Sequence, residues 1–129
     1  MRERVAILGA SDDAGRYSHR ALRALRAHGH TVLPVNPKLQ CIDGVTVAPH
    51  ISSVAGPIDT ITVYLRPALA EPLADEIIEA RPRRVIFNPG AESPTLRARL
   101  EAVGIVVQWQ CTLVLLREGR YAGDLPVRQ

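Results

Sequence analysis

Four short segments of this chain each follow directly on an apolar, β-rich run: Gly9-Ala10-Ser11, Asn36-Pro37-Lys38, Tyr64-Leu65-Arg66 and Asn88-Pro89-Gly90. In an open parallel sheet a ligand lies beyond the carboxyl ends of the strands, so these are the positions where chemistry would gather. The first is the most telling. In Gly9-Ala10-Ser11-Asp12-Asp13-Ala14-Gly15, glycines stand at both ends of a tight turn between strand and helix, which lets backbone N–H groups approach phosphate oxygens. Ser11 and Ser18 add hydroxyl donors, Arg16 adds a cation, and the following helix turns its positive end toward the anion. The chemistry implied is the anchoring of a pyrophosphate. The loop departs from G-x-G-x-x-G, because Ser11 stands at the second glycine position and the last glycine is displaced. A plain βα turn closed by an N-cap serine would read the same way.

The second segment discriminates further. A site for NAD places Asp or Glu at this point to bind the ribose diol, whereas Asn36-Pro37-Lys38 offers a cation. Lys38 is the only lysine among sixteen basic residues. It suits an extra phosphate on the ribose, carried at the 3′ position in coenzyme A and at the 2′ position in NADP. As a lone loop cation it also fits an ordinary solvated surface.

No catalytic residue and no metal ligand set stands out. His19, His28, His30 and His50 show no metal-binding spacing and read as surface histidines. Ser52-Ser53 and Ser93 lack a nucleophile elbow, and Glu92 reads as a dipole partner for the helix that follows. Cys41 and Cys111 are far apart, with no C-x-x-C, and read as reduced thiols. Cys111 near a thiol-bearing cofactor would be open to a mixed disulfide, although a small buried hydrophobe is the commoner role.

These segments must be positioned by alternating strands and helices. Strands are expected at 5–8, 31–35, 60–64, 84–87 and 105–107, with a small one at 45–47. Helices are expected at 18–28, ended by Gly29, at 68–80 and at 94–103, ended by Gly104. In the second helix Leu69, Leu73, Ile77 and Ala80 form the apolar face, and Pro72 is tolerable only within the first turn. The run 112–116 fits a short strand or a helical turn, and residues from about 119 look like a tail. This order implies one Rossmann-like α/β domain spanning 1–129: a doubly wound, mainly parallel sheet of about five or six strands with helices on both faces.

At 129 residues and 47% hydrophobic content the chain can build one core without disulfides or metals. The net charge of +3 is too small to argue for nucleic acid and would suit an anionic small molecule. The charged start argues against a signal peptide, and no apolar run reaches the ~20 residues of a membrane span, so no membrane partner and a cytoplasmic location are expected. Oligomeric state is not legible.

Taken together, Val5-Ala6-Ile7-Leu8-Gly9-Ala10-Ser11, Gly15-Arg16, Ser18, Val35-Asn36-Pro37-Lys38 and Arg66-Pro67 resemble the small stand-alone CoA-binding proteins. That domain is similar to the N-terminal CoA-binding domain of the succinyl-CoA synthetase α subunit. Phe87-Asn88-Pro89-Gly90-Ala91-Glu92 and Cys111-Thr112-Leu113-Val114 resemble one branch of the same group, and the likeness covers about 4–121. The resemblance implies the CoA pyrophosphate on the 9–15 loop, Lys38 near the adenosine end and 64–67 along the pantetheine path. Asp12-Asp13 departs from the commonest pattern by placing two carboxylates in the phosphate loop. The synthetase's other domains are missing, so its acyl-phosphate chemistry is not carried over. The expected function is binding of coenzyme A, or an acyl-CoA, without catalysis. Alternatives are an NADP-binding reductase-like domain and a regulatory or scaffold domain that has lost its ligand.

Overall fold

The structure, a computed structural model, describes residues 2–122. Five parallel strands form the main sheet: β1 (Arg4–Leu8), β2 (Thr31–Val35), β5 (Thr60–Val63), β6 (Arg84–Phe87) and β7 (Val106–Trp109). A separate antiparallel pair, β3 (Cys41–Ile42) and β4 (Val45–Thr46), lies outside it. The main sheet has the order β2-β1-β5-β6-β7. Strand order therefore reverses between β1 and β5, where an open α/β sheet leaves a crevice at its carboxyl edge.

The apolar runs are continuous because both faces are covered. Ala6 and Leu8 of β1 point into one core with Ala70, Ala74, Ile77, Leu96 and Leu100; Val5 and Ile7 point into another with Leu22, Leu25, Leu115 and Leu116. The first layer is built by α2 (Pro67–Ala70), α3 (Ala74–Ala80) and α4 (Pro94–Ala102), the second by α1 (Tyr17–Ala27) and α5 (Thr112–Arg117). This is a Rossmann-like α/β fold.

Some expectations are corrected and one open reading is resolved. The helix read as continuous over 68–80 is broken: Pro72 lies in a 3-10 turn, Glu71–Leu73, between α2 and α3. Proline cannot donate the interior helical bond, and the α-helical pattern gives way to a 3-10 turn there. The buried face becomes Ala70, Ala74 and Ile77, while Leu69 is half exposed. The small strand at 45–47 pairs with β3 across Asp43-Gly44, both at positive φ, instead of joining the main sheet. The ambiguous run at 112–116 is helix α5. His19 and His30 are buried, at 3% and 9% exposure, and are not surface histidines.

The expected tail starts at the surface with Gly119 and Arg120 but returns to the core at Tyr121, which is 4% exposed. Its remainder, residues 123–129, lies outside the described residues. Tyr121 belongs to a polar cluster at the amino ends of the strands, where the Arg84 guanidinium, itself unexposed, ties several segments together. Arg84 Nη2 lies 3.2 Å from Glu3 Oε2, Nε donates to Thr60 Oγ1, and Nη1 donates to the Tyr121 carbonyl at 2.6 Å.

Candidate functional site

At the carboxyl edge between β1 and β5 an open cleft of about 820 Å³ is lined by Gly9, Ala10, Ser11, Gly15, Arg16, Ser18, Asn36, Lys38, Tyr64, Leu65, Arg66 and Pro89. Twelve of the fifteen residues singled out from the sequence thus meet on one surface. Pro37 lines an adjoining, mainly apolar branch of about 290 Å³, which shares Gly9, Asn36, Leu65 and Leu69 with the cleft. Asn88 and Gly90 line neither.

Asn88 is a buried strut. Its Nδ2 donates to Thr62 Oγ1 at 2.7 Å and to the Val63 carbonyl at 2.9 Å, and its Oδ1 accepts from the Thr112 amide at 2.8 Å. With both Nδ2 hydrogens and Oδ1 engaged between β5 and the start of α5, Asn88 braces these two elements behind the cleft residues. Gly90, at φ 95°, shapes the turn, its amide donating to Glu92 Oε1. Glu92 therefore serves that turn, while Ser93 caps α4 by accepting from the Leu96 amide.

The phosphate-loop candidate is closed by its own side chains. Gly9 has φ 89°, a left-handed conformation that glycine adopts without strain. The Asp13 amide donates to Ser11 Oγ at 3.0 Å, and Asp13 Oδ1 accepts from the Gly15 amide at 2.9 Å. One of the two carboxylates in the loop is therefore spent on holding the turn, which answers part of the charge conflict expected there. Asp12 does line the cleft, but Arg16, Lys38 and Arg66 line it as well, so cations outnumber carboxylates.

No serine caps α1. Its N-cap is Arg16, without a side-chain hydrogen bond, so the amides of Tyr17 and Ser18 at the helix start have no intrahelical partner, and both residues line the cleft. Donors of this kind, with the positive end of the helix dipole behind them, suit an anion.

The second wall is tied to the first. Asn36 Nδ2 donates to the Ala10 carbonyl at 2.8 Å, and its Oδ1 accepts from the Lys38 amide at 2.7 Å. Asn36 thus fixes the start of the lysine loop against the phosphate turn, and Lys38 itself is exposed. On the third wall, the Tyr64 hydroxyl is buried beside Thr62 and Thr112 without hydrogen-bonding geometry to either. Burial pushes this phenol far above its usual range, with the Cys111 thiol adding to the shift, so it stays neutral.

Tyr17, Leu39 and Leu69 also line the cleft, and sequence reasoning missed them. Tyr17 is 66% and Leu69 50% exposed, large apolar groups left open beside a polar loop. Their nearness to the glycine turn and to Arg66-Pro67 was the available signal. Among the described residues no group of three or more His, Cys, Asp or Glu side chains is arranged to hold a metal ion. No helix among them is long and apolar enough to cross a membrane.

A family model described as a CoA binding domain matches residues 3–117. The chain belongs to this family. The CoA-binding domain fold recurs in a crystal structure of an uncharacterized protein, at 35% identity and TM-score 0.87, covering 93% of this chain and 98% of the other. It recurs again in the dinucleotide-forming acetyl-coenzyme A synthetase 1 of Ca. Korarchaeum cryptofilum, solved with phosphate and ADP. There the identity is 20%, the TM-score 0.74 and the coverage 84% of this chain but 25% of the synthetase, a likeness of fold alone. YneT of Bacillus subtilis is 32% identical over 77 residues, which span 60% of this chain and 57% of YneT.

Proposed function

We propose that this domain binds coenzyme A, free or acylated, in the cleft between β1 and β5, and that it does so as a binding module without a reaction of its own. One observation carries the reading: the glycine turn and the sole lysine lie on two walls of a single cleft, joined by Asn36. In this reading the pyrophosphate rests on the amides and hydroxyls of the 9–15 loop and the start of α1. Lys38 meets the 3′-phosphate of the ribose. The apolar branch beside Pro37 suits the adenine ring, and Tyr64, Leu65 and Arg66 flank the pantetheine arm. The small-molecule partner, the cytoplasmic location and the lack of nucleic-acid binding go with it.

NADP is the competing ligand, since it too carries a ribose phosphate. Hydride transfer would also need a proton donor at the substrate, and the Tyr64 hydroxyl, buried and made a weaker acid by that burial, is poorly placed to give up its proton.

The test is direct. Protein purified from its own cells is denatured, and the released small molecule is identified by mass spectrometry; coenzyme A or an acyl thioester is expected. In calorimetry, coenzyme A should bind more tightly than dephospho-CoA or NADP, and Lys38→Ala should weaken coenzyme A about tenfold while leaving dephospho-CoA unchanged. Equal affinity of the wild type for coenzyme A and dephospho-CoA would refute the role of Lys38, and no binding of either would refute the assignment.

A further inference from the structure

The segment that carries Lys38 is fastened at both ends by side chains. Upstream the fastening is Asn36, both ends of whose amide are engaged. Downstream it is Asp43, at the tip of the β3–β4 hairpin. Asp43 Oδ2 receives His19 Nε2 at 2.7 Å and Arg23 Nε at 3.0 Å, and its carbonyl accepts from Arg26 Nη1 at 3.1 Å.

Neither packing nor turn geometry asks for this contact. His19 is 3% exposed, and its Nδ1 is buried with no hydrogen-bond partner, an unfavourable way to fill space. Its one polar contact among the described residues is Asp43. A hairpin turn with two positive-φ positions accepts glycine or asparagine as readily as aspartate. What the pair does achieve is mechanical. His19 follows Ser18, which lines the cleft on α1, and the hairpin follows Lys38 and Leu39, which line it on the other wall. The contact ties the one wall to the other.

We infer that Asp43 and His19 are positioning residues that hold the Lys38 loop at the right distance from the phosphate turn, so that Lys38 can meet a phosphomonoester on the ribose. The inference rests on the reading of Lys38 given under Proposed function. Neither residue lines the cleft, so their effect passes through Lys38. A lysine ammonium is a point charge on a flexible stem, and its contribution depends on where its backbone is fixed.

The test uses Asp43→Gly, which removes the carboxylate and keeps the left-handed turn. His19→Leu, which removes the bond and keeps buried volume, runs in parallel so that a folding defect in one variant does not decide the outcome. Calorimetry compares coenzyme A with dephospho-CoA for the wild type, each variant, Lys38→Ala and the double variants. Expected is a loss of about fivefold in coenzyme A affinity, with dephospho-CoA unchanged. On the Lys38→Ala background neither substitution should weaken coenzyme A further, as two residues acting through one contact require. Equal weakening of both ligands would show that the hairpin is only structural and overturn the inference, as would wild-type affinity for coenzyme A in both variants. If the wild type itself fails to distinguish the two ligands, the reading of Lys38 falls first and this inference with it.

Discussion

A Cβ built at Gly9 would stand 2.9 Å from Leu65 Cδ2 and 3.3 Å from the Tyr64 carbonyl carbon, in a backbone already at φ 89°. The residue therefore lets the turn after β1 pass close to the segment after β5, and both segments line the cleft. Gly9→Ala should cost about 1–2 kcal/mol of stability from the left-handed conformation, more if Leu65 cannot yield, as read by urea melting. Because both walls must shift, coenzyme A affinity should fall by about tenfold or more in calorimetry; unchanged affinity would remove this turn from the site. Asn36 and Asn88 look alike in sequence, each the first residue of an Asn-Pro pair after a strand. Only their partners separate them. Asn36 joins two walls of the cleft, whereas Asn88 is buried between β5 and α5.

Among elements, the pairing of β1 with β2 begins at a titratable contact. The Glu3 amide donates to His30 Nδ1 at 3.0 Å, and the Thr31 amide donates to the Glu3 carbonyl at 2.9 Å. His30 must be neutral at Nδ1 to accept, and burial lowers its pKa below the ordinary 6.5, outweighing the attraction of Glu3. The unfolded chain therefore takes up this proton at higher pH than the folded one. The stability associated with neutral His30 is present above pH 6.5 and is lost as pH falls through the lowered folded value. His30→Asn, whose Oδ1 can take the place of Nδ1 as acceptor without titrating, should flatten the loss of melting temperature on acidification; an unchanged pH profile would show that His30 does not govern it. The elements also show where periodicity misleads. Leu69 and Leu73 fall at helical spacing with Ile77, but the 3-10 turn at Pro72 interrupts that spacing, and Leu69 lines the cleft.

Across the whole molecule the two ends of the sheet do different work. The carboxyl edge carries the cleft, and the amino edge carries the Arg84 cluster, which joins Glu3, Thr60, Gln108 and Tyr121. The Arg84 guanidinium also lies 4.2 Å from the centroid of the Tyr121 ring. A buried charge needs all its partners, because the guanidinium left unpaired there would lose its desolvation compensation. Tyr121→Ala keeps the carbonyl that Arg84 bonds but removes the ring beside the guanidinium, and should cost about 3 kcal/mol or more in denaturant melting. Coenzyme A affinity at 25 °C should stay within about twofold, since independent sites add. A large loss of affinity in a folded variant would show that the two edges are coupled.

Much was legible from local order alone. Apolar runs buried on both faces gave the alternating strands and helices, and glycine, proline and asparagine marked where each strand ends, because those limits are set by backbone sterics within a few residues. The turn after β1 and the solitary Lys38 pointed, by amide donors and charge, to an anionic ligand, and the fold places both on one cleft. Tertiary structure decided what depends on partners distant in the chain. It buried His19 against Asp43 and Arg84 against Glu3, and it made Asn88 a strut. A side chain's type and its neighbours in sequence do not say which groups the fold will bring to it, and for polar residues that company determines whether they bind, brace or titrate.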